Sequence, residues 1–232
     1  RLAWSMLAGA LTGSLLGLPL GILAVAPQVP TIWVKMVFAV CWAAFGLLHL
    51  VRLDDLMATA GNAGGDGRRQ FGLGIAAGFL AGATIVAVTG VGIDMLVYSL
   101  LVLSCRVDPK IAIPTSVVAM AFNSLLGTAI KLSITGLEAG VWENWLAAAP
   151  VVALGAPLGA FAVAFLGRRI TLLFVALLCV VQFVWACYHD RADLGSAGLL
   201  AAVAAVAAGV FALDRLRIWG RGRLDSPGPS PL

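Results

Sequence analysis

Residues Val88–Tyr98 read VTGVGIDMLVY, and how this stretch is read decides the fold. It lies inside an apolar segment from Phe71 to Ser104, 34 residues long. About 20 residues suffice to cross roughly 30 Å of hydrocarbon. Two glycines and a carboxylate near the middle leave two possibilities: one overlong tilted helix, or a hairpin of two limbs broken at Gly90 and Gly92.

Charge chooses between them. If the segment crosses once, the chain's fifteen Lys and Arg divide six against nine between the two sides. If it returns to the side it entered, they divide twelve against three, and the poor side keeps only Lys35, Lys131 and Arg191. The positive-inside rule favours the uneven division. The hairpin base and the Arg-rich C-terminal segment then face the cytoplasm.

The rest of the chain suits a membrane. It is 61% hydrophobic and 11% charged, with a mean hydropathy of +1.02, where soluble domains carry roughly 25% charged residues. The fold class is therefore an all-α polytopic membrane protein. Further apolar runs occupy Trp4–Val25, Thr31–Val51, Ile113–Ile134, Trp142–Leu166, Ile170–Tyr188 and Leu194–Leu213. The basic residues sit in short loops and the tail, where they report topology, so no nucleic-acid partner is expected. Cys41, Cys105, Cys179 and Cys187 form no metal-ligand spacing. His49 and His189 end apolar runs and read as interfacial side chains. With no nucleophile–base or metal set, neither enzymatic activity nor a cofactor is expected.

The chain also matches itself. At an offset of 138 residues, Trp4 falls on Trp142, Gly17 on Gly155, Pro19 on Pro157, Gly21 on Gly159, Cys41 on Cys179 and Phe45 on Phe183. Over Trp4–Leu50 there are 14 identities in 47 positions, against roughly five from biased composition. The counterpart of the hairpin would lie about 70 residues before Trp4 and is expected to be missing. Residues 1–52 then read as the last two helices of repeat one, 53–70 as a linker, and 71–190 as a complete repeat two. Residues 191–214 form an added transmembrane helix, and 215–232 a basic, Pro/Ser-rich disordered tail. Each complete repeat crosses an odd number of times, which gives an inverted-repeat architecture of the kind found in secondary transporters.

Backbone that leaves helical geometry within a bilayer must be buried in protein or line a wet cavity. Gly90 and Gly92, with neighbouring Thr89, therefore mark a cavity or protected turn. The second limb would present free N–H groups and its positive dipole end there. Asp94 either caps that limb or binds a cation or proton. Thr115 and Ser116, after Pro114, either cap a helix start or contact a ligand. Asn123 and Ser124 are either interhelical glue or ligand contacts, and Gln182 reads as glue. Gly9, Gly13, Gly17 and Gly21 form a stripe for close helix packing. Lys35 and Lys131 read as snorkelling side chains.

The segments GLGIAAGFLAGATIVAVTGVGIDMLVYSLLVL, DPKIAIPTSVVAMAFNSLLGTAI and LGAPLGAFAVAFLGRRITLLFVALL resemble, in order and spacing, the TauE/SafE family, the 4-toluene sulfonate uptake permeases. The resemblance covers Leu2 to Tyr188. It implies a secondary transporter in a plasma membrane (the bacterial inner membrane), a permease or exporter for sulfite, sulfonates or another small organic anion. The family's glycine cluster maps onto Gly90 and Gly92 and its Thr-Ser pair onto Thr115 and Ser116. Ile93 and Asp94 stand where the family usually has two more glycines, so another anion or ion coupling is open. Expected partners are the anion, the lipid bilayer and a coupled proton or cation. The alternative is a non-transporting membrane scaffold or accessory subunit.

Overall fold

A computed structural model describes residues 1–53, 66–134, 136 and 139–224, without the side chains of 160, 162–164, 167, 168 and 219–224. Most of the expected linker 53–70, and residues 225–232 of the expected tail, lie outside the described residues. The described residues are helical and contain no strand. They include six helices long and apolar enough to span a membrane.

Helix α1 (Trp4–Leu20) runs on through a π turn, Gly21–Val25, and a 3-10 turn, Ala26–Gln28. Pro27 and Pro30 end it by removing backbone donors, and α2 (Thr31–Val51) begins. The first hairpin limb, α3 (Gly67–Ala81), continues through a π turn, Gly82–Val86, and a last helical turn, Ala87–Thr89. The second limb is α4 (Ile93–Ser99), extended by a π turn, Leu100–Ser104. Then come α5 (Pro109–Ile134), α6 (Val141–His189) and α7 (Arg191–Leu224).

The hairpin forms as expected. Gly90 and Gly92 take φ of +79° and +110°, values that only glycine adopts without strain. The chain reverses there, and its two ends meet: the Arg69 guanidinium lies close enough to the Cys105 thiol to act on it electrostatically. The limbs differ in length, however. The first, Gly67–Thr89, has 23 residues and is span-length by itself, whereas Ile93–Ser104 falls in the shorter class. At 1.5 Å per residue the second limb rises only about 18 Å. It is correspondingly enclosed by protein. Ile93, Val97 and Leu101 have no exposed surface, and every residue of its π turn is buried.

The glycine stripe of α1 explains what holds the first limb. Gly9, Gly13, Gly17 and Gly21 press on the backbone of Phe71, Ile75, Phe79 and Ala83, four residues apart in both helices. Gly74, Gly78 and Gly82 answer from α3 against Met6, Ala10 and Leu18. A Cβ at any of these positions would collide with main chain. Lipid is as apolar as leucine, so dispersion at close backbone approach is what holds such a pair together. Met6, Leu7, Ala10, Leu18, Val97, Leu101, Ala112 and Ala119 form the core between α1, the hairpin and α5.

A second packing group joins α2, the later half of α6, and α7. Gly46 sits against Ala176 and Cys179, and Gly209 against Ala44. At one end Lys35 Nζ meets Asp190 Oδ1 at 3.5 Å. At the other, Arg52 Nε meets Asp214 Oδ1 at 3.2 Å, and Arg217 shares that carboxylate at 3.0 Å.

Three boundaries differ from expectation. The runs Trp142–Leu166 and Ile170–Tyr188, expected as separate spans, belong to one helical run with no loop at the basic pair. Repeat one breaks at Pro27 and Pro30, but their counterparts are Phe165 and Arg168, and neither interrupts a helix. Helix α5 begins at Pro109, not near Thr115. Asp108 accepts from the Lys110 N–H at 2.8 Å, and proline suits the first helical position. Helix α7 breaks at Gly195 (φ +63°) and continues through Leu224 into the segment expected to be disordered. There Arg215 lies over the Phe211 ring at 4.9 Å and Arg217 bonds Asp214, supporting the added turns.

Candidate functional site at the hairpin tip

Local chemistry knits the tip. The Thr89 hydroxyl lies 2.8 Å from the Ile85 carbonyl and 2.8 Å from that of Val91. It also accepts from the Val91 N–H at 3.3 Å. With one hydrogen it donates to one carbonyl at a time, so Thr89 spends its polarity on the turn. The first-turn amides of α4, at Ile93, Asp94 and Met95, have no carbonyl one turn back within the helix. The N-cap position is Gly92, and no hydrogen bond is found for Asp94 among the described residues, so the capping role weighed above has no bond behind it. It stands in the first turn of α4, where the helix dipole favours a carboxylate.

Two cavities flank the tip. One, of about 270 Å³, lies between α1, the tip and α5, and is lined by Leu18, Ile22, Val86–Gly90, Asn123, Ser124, Gly127, Thr128 and Lys131. The other, of about 530 Å³, lies between α2, the tip and the end of α6, and includes Lys35, Phe38, Thr89, Val91, Gln182, Trp185, His189 and Asp190.

The structure thus brings Thr89, Gly90, Asn123 and Ser124 together. Gly92 shapes the turn from behind, where a Cβ would meet Ile85 at 2.8 Å. Asp94 lines neither cavity. Thr115 and Ser116 are buried at the opposite end of α5. The Thr115 hydroxyl accepts from the Ala3 N–H at 3.0 Å and lies 2.6 Å from the Ile111 carbonyl, while Ser116 bonds Ile113. They stitch helices and do not join the tip cavity.

Asn123 is the most informative residue here. It is 1% exposed. Its Nδ2 donates to the Ala119 carbonyl at 2.9 Å, which fixes the amide orientation, and its buried Oδ1 has no partner among the described residues. Sequence reading missed Thr128 as a lining residue and took Lys131 only as snorkelling. The signal was available, since 123, 127 and 131 share one helix face, as do 124 and 128. Lys35, Gln182, Trp185, His189 and Asp190 were also missed as a group, because residues on α2 and α6 meet only through the fold. His49 corrects the interfacial reading: it is 3% exposed, and its Nδ1–H donates to the Phe45 carbonyl at 2.8 Å.

Comparison with known proteins rests on one match. The family model described as sulfite exporter TauE/SafE matches residues 1–185 and again residues 73–214. The chain belongs to the TauE/SafE family. Neither a curated protein nor a solved structure shows a match. As a TauE/SafE protein the chain is a multi-pass membrane transporter, and its tip cavity is lined by both polar and apolar side chains.

Proposed function

We propose that this TauE/SafE protein is a secondary transporter for a small oxyanion, of the sulfite or sulfonate type, and that the solute occupies the cavity between the hairpin tip and α5. The observation that carries the reading is the convergence of Asn123, Ser124, Thr128 and Lys131 on backbone broken at Gly90. Lys131 supplies positive charge, and the two hydroxyls supply donors. The unpartnered Asn123 Oδ1 asks for a donor in return, so the solute carries an O–H or N–H as well as negative charge. Hydrogensulfite meets both requirements; methanesulfonate lacks the donor.

Transport proceeds by alternating access, with the hairpin as the moving gate between the two packing groups. The family model's two overlapping matches are what a duplicated family would give, and support the inverted-repeat reading. The clustering of Arg52, Arg69 and Arg217 at the hairpin base supports a cytoplasmic face there, in a plasma membrane. The direct test is uptake of radiolabelled sulfite into proteoliposomes. Asn123→Leu should abolish binding of hydrogensulfite, and equal uptake by Asn123→Leu and the native chain would overturn the site.

A further inference from the structure

The seam between α2 and α4 carries polar groups that the proposed solute site does not use. Its register follows from two fixed points. Thr89 and Val91 share the larger cavity with Val34, Lys35, Phe38 and Ala39. Toward the hairpin base, the Tyr98 ring stands 5.7 Å from Phe45 and 5.9 Å from His49, centroid to centroid. Both helices run the same way, so Asp94 falls near the level of Cys41 and Trp42. Asp94 and Tyr98, four residues apart, share one face of α4.

Two buried atoms on α2 have no partner among the described residues: the donor Trp42 Nε1 and the acceptor His49 Nε2. They are seven residues apart, two turns along one face, about 10 Å. Asp94 makes no cap bond, and no hydrogen bond or ion pair is found for it among the described residues. Lipid satisfies none of these groups. A donor, an acceptor and a carboxylate along one seam are what a short file of buried water needs as partners.

We infer that this seam is the proton route of the transporter, with Asp94 and His49 as its two stations. The inference rests on the transport reading above. At the tip end of the seam a proton binds the Asp94 carboxylate and forms a carboxylic acid. Water oriented by Trp42 Nε1–H carries it to His49, where the Nε2 lone pair takes it and Asp94 returns to carboxylate. The imidazolium then gives the same proton back from Nε2 to water at the hairpin base.

The His49 ring lies 4.0 Å from Phe45 and beside Tyr98, so aromatic faces flank the cation. Among the described residues, the charged or titratable groups toward it are Arg52 one turn on along α2, the Asp214 and Arg217 of α7 that pair with Arg52 and each other, and Tyr98 of α4, with Asp94 about two turns away. Arg52 is already held by Asp214, which limits its repulsion.

The experiment separates this route from solute binding. In proteoliposomes of the full chain, sulfite counterflow needs no net proton movement, whereas uptake driven by a pH gradient does. His49→Gln should reduce gradient-driven uptake and internal acidification about tenfold or more, with counterflow kept. Gradient-driven uptake unchanged in His49→Gln overturns the route, while absence of counterflow in the native chain overturns the transport reading instead. A second readout needs no transport. The chain has two histidines, so 15N-imidazole spectra in nanodiscs are assigned with His189→Gln. His49 should convert reversibly from the Nδ1–H tautomer to imidazolium as the pH is lowered, and Asp94→Asn should move that transition. A His49 signal constant across the titration overturns the proposal.

Discussion

At the scale of single residues, the chain places strain and unsatisfied polarity where the hairpin turns. Gly90 and Gly92 carry the two left-handed conformations of the turn, and a β-branched side chain there costs on the order of 1–3 kcal/mol. Gly92→Val, which also meets Ile85, should lower the melting temperature more than Gly90→Val, whose site is open. Equal losses measured by thermal unfolding in detergent would contradict this. Arg106 is a different case, a non-glycine residue at φ +52° closing the second limb. Arg106→Gly removes the Cβ penalty and should stabilise by about 1 kcal/mol, read as a higher melting temperature. At the same closure Cys105 is buried, which raises its thiol above the ordinary cysteine range, and Arg69 only partly offsets this. The thiolate is the nucleophile and stays scarce as pH rises through the usual thiol range. Maleimide labelling of Cys105 should therefore lag behind that of a free thiol up to about pH 9. At this scale the sequence was partly legible. Gly90, Gly92 and Asn123 announce themselves by being polar or flexible in an apolar run. The contacts of Thr115 with Ala3 and of His49 with Tyr98 do not, because each joins residues distant in sequence.

At the scale of elements, the hairpin limbs and α1 stand or fall together. The periodic glycines of α1 state that something approaches closely, but the stripe is silent on what. The answer, α3, became visible only once Phe71, Ile75, Phe79 and Ala83 were seen at the same four-residue spacing. Gly13→Val would drive side-chain carbons into the Ile75 and Phe79 main chain, and overpacking of this kind costs about 1–3 kcal/mol or more. In the 138-residue register Gly17 falls on Gly155, with nothing among the described residues within 4 Å. Gly155→Val should leave the melting temperature of this chain near the native value while Gly13→Val lowers it sharply. A similar loss in both would mean that Gly155 has a packing partner. The two matching segments thus share Gly17 with Gly155, Pro19 with Pro157 and Gly21 with Gly159 but differ in what surrounds them. That difference also explains why the basic pair at Arg168 and Arg169 was read as a loop. Charge suggested a turn at the membrane surface, yet nothing in Gly167–Arg168–Arg169 forces the backbone out of a helix.

At the scale of the whole molecule, the charges sort the bundle into two ends. Arg52, Arg69, Asp214 and Arg217 gather at the base of the hairpin, and Lys35, Asp190 and Lys131 around its tip. Single cysteines at Gln70 and Arg106 should react with an impermeant thiol reagent from the same side of sealed vesicles, and a cysteine at Arg191 from the other. The sorting was legible in the count of Lys and Arg, because topology responds to the Lys and Arg of short loops and needs no contact. The pairing of Arg52 with Asp214 was not legible, since it spans most of the chain. The feature with the widest reach is Thr89, which borders both cavities. The party wall between the two chambers is there a single side chain thick, so neither can fill without its neighbour registering it. A reporter thiol installed at that position should be shielded by whatever enters from either direction, and its protection would read out traffic through both compartments at once.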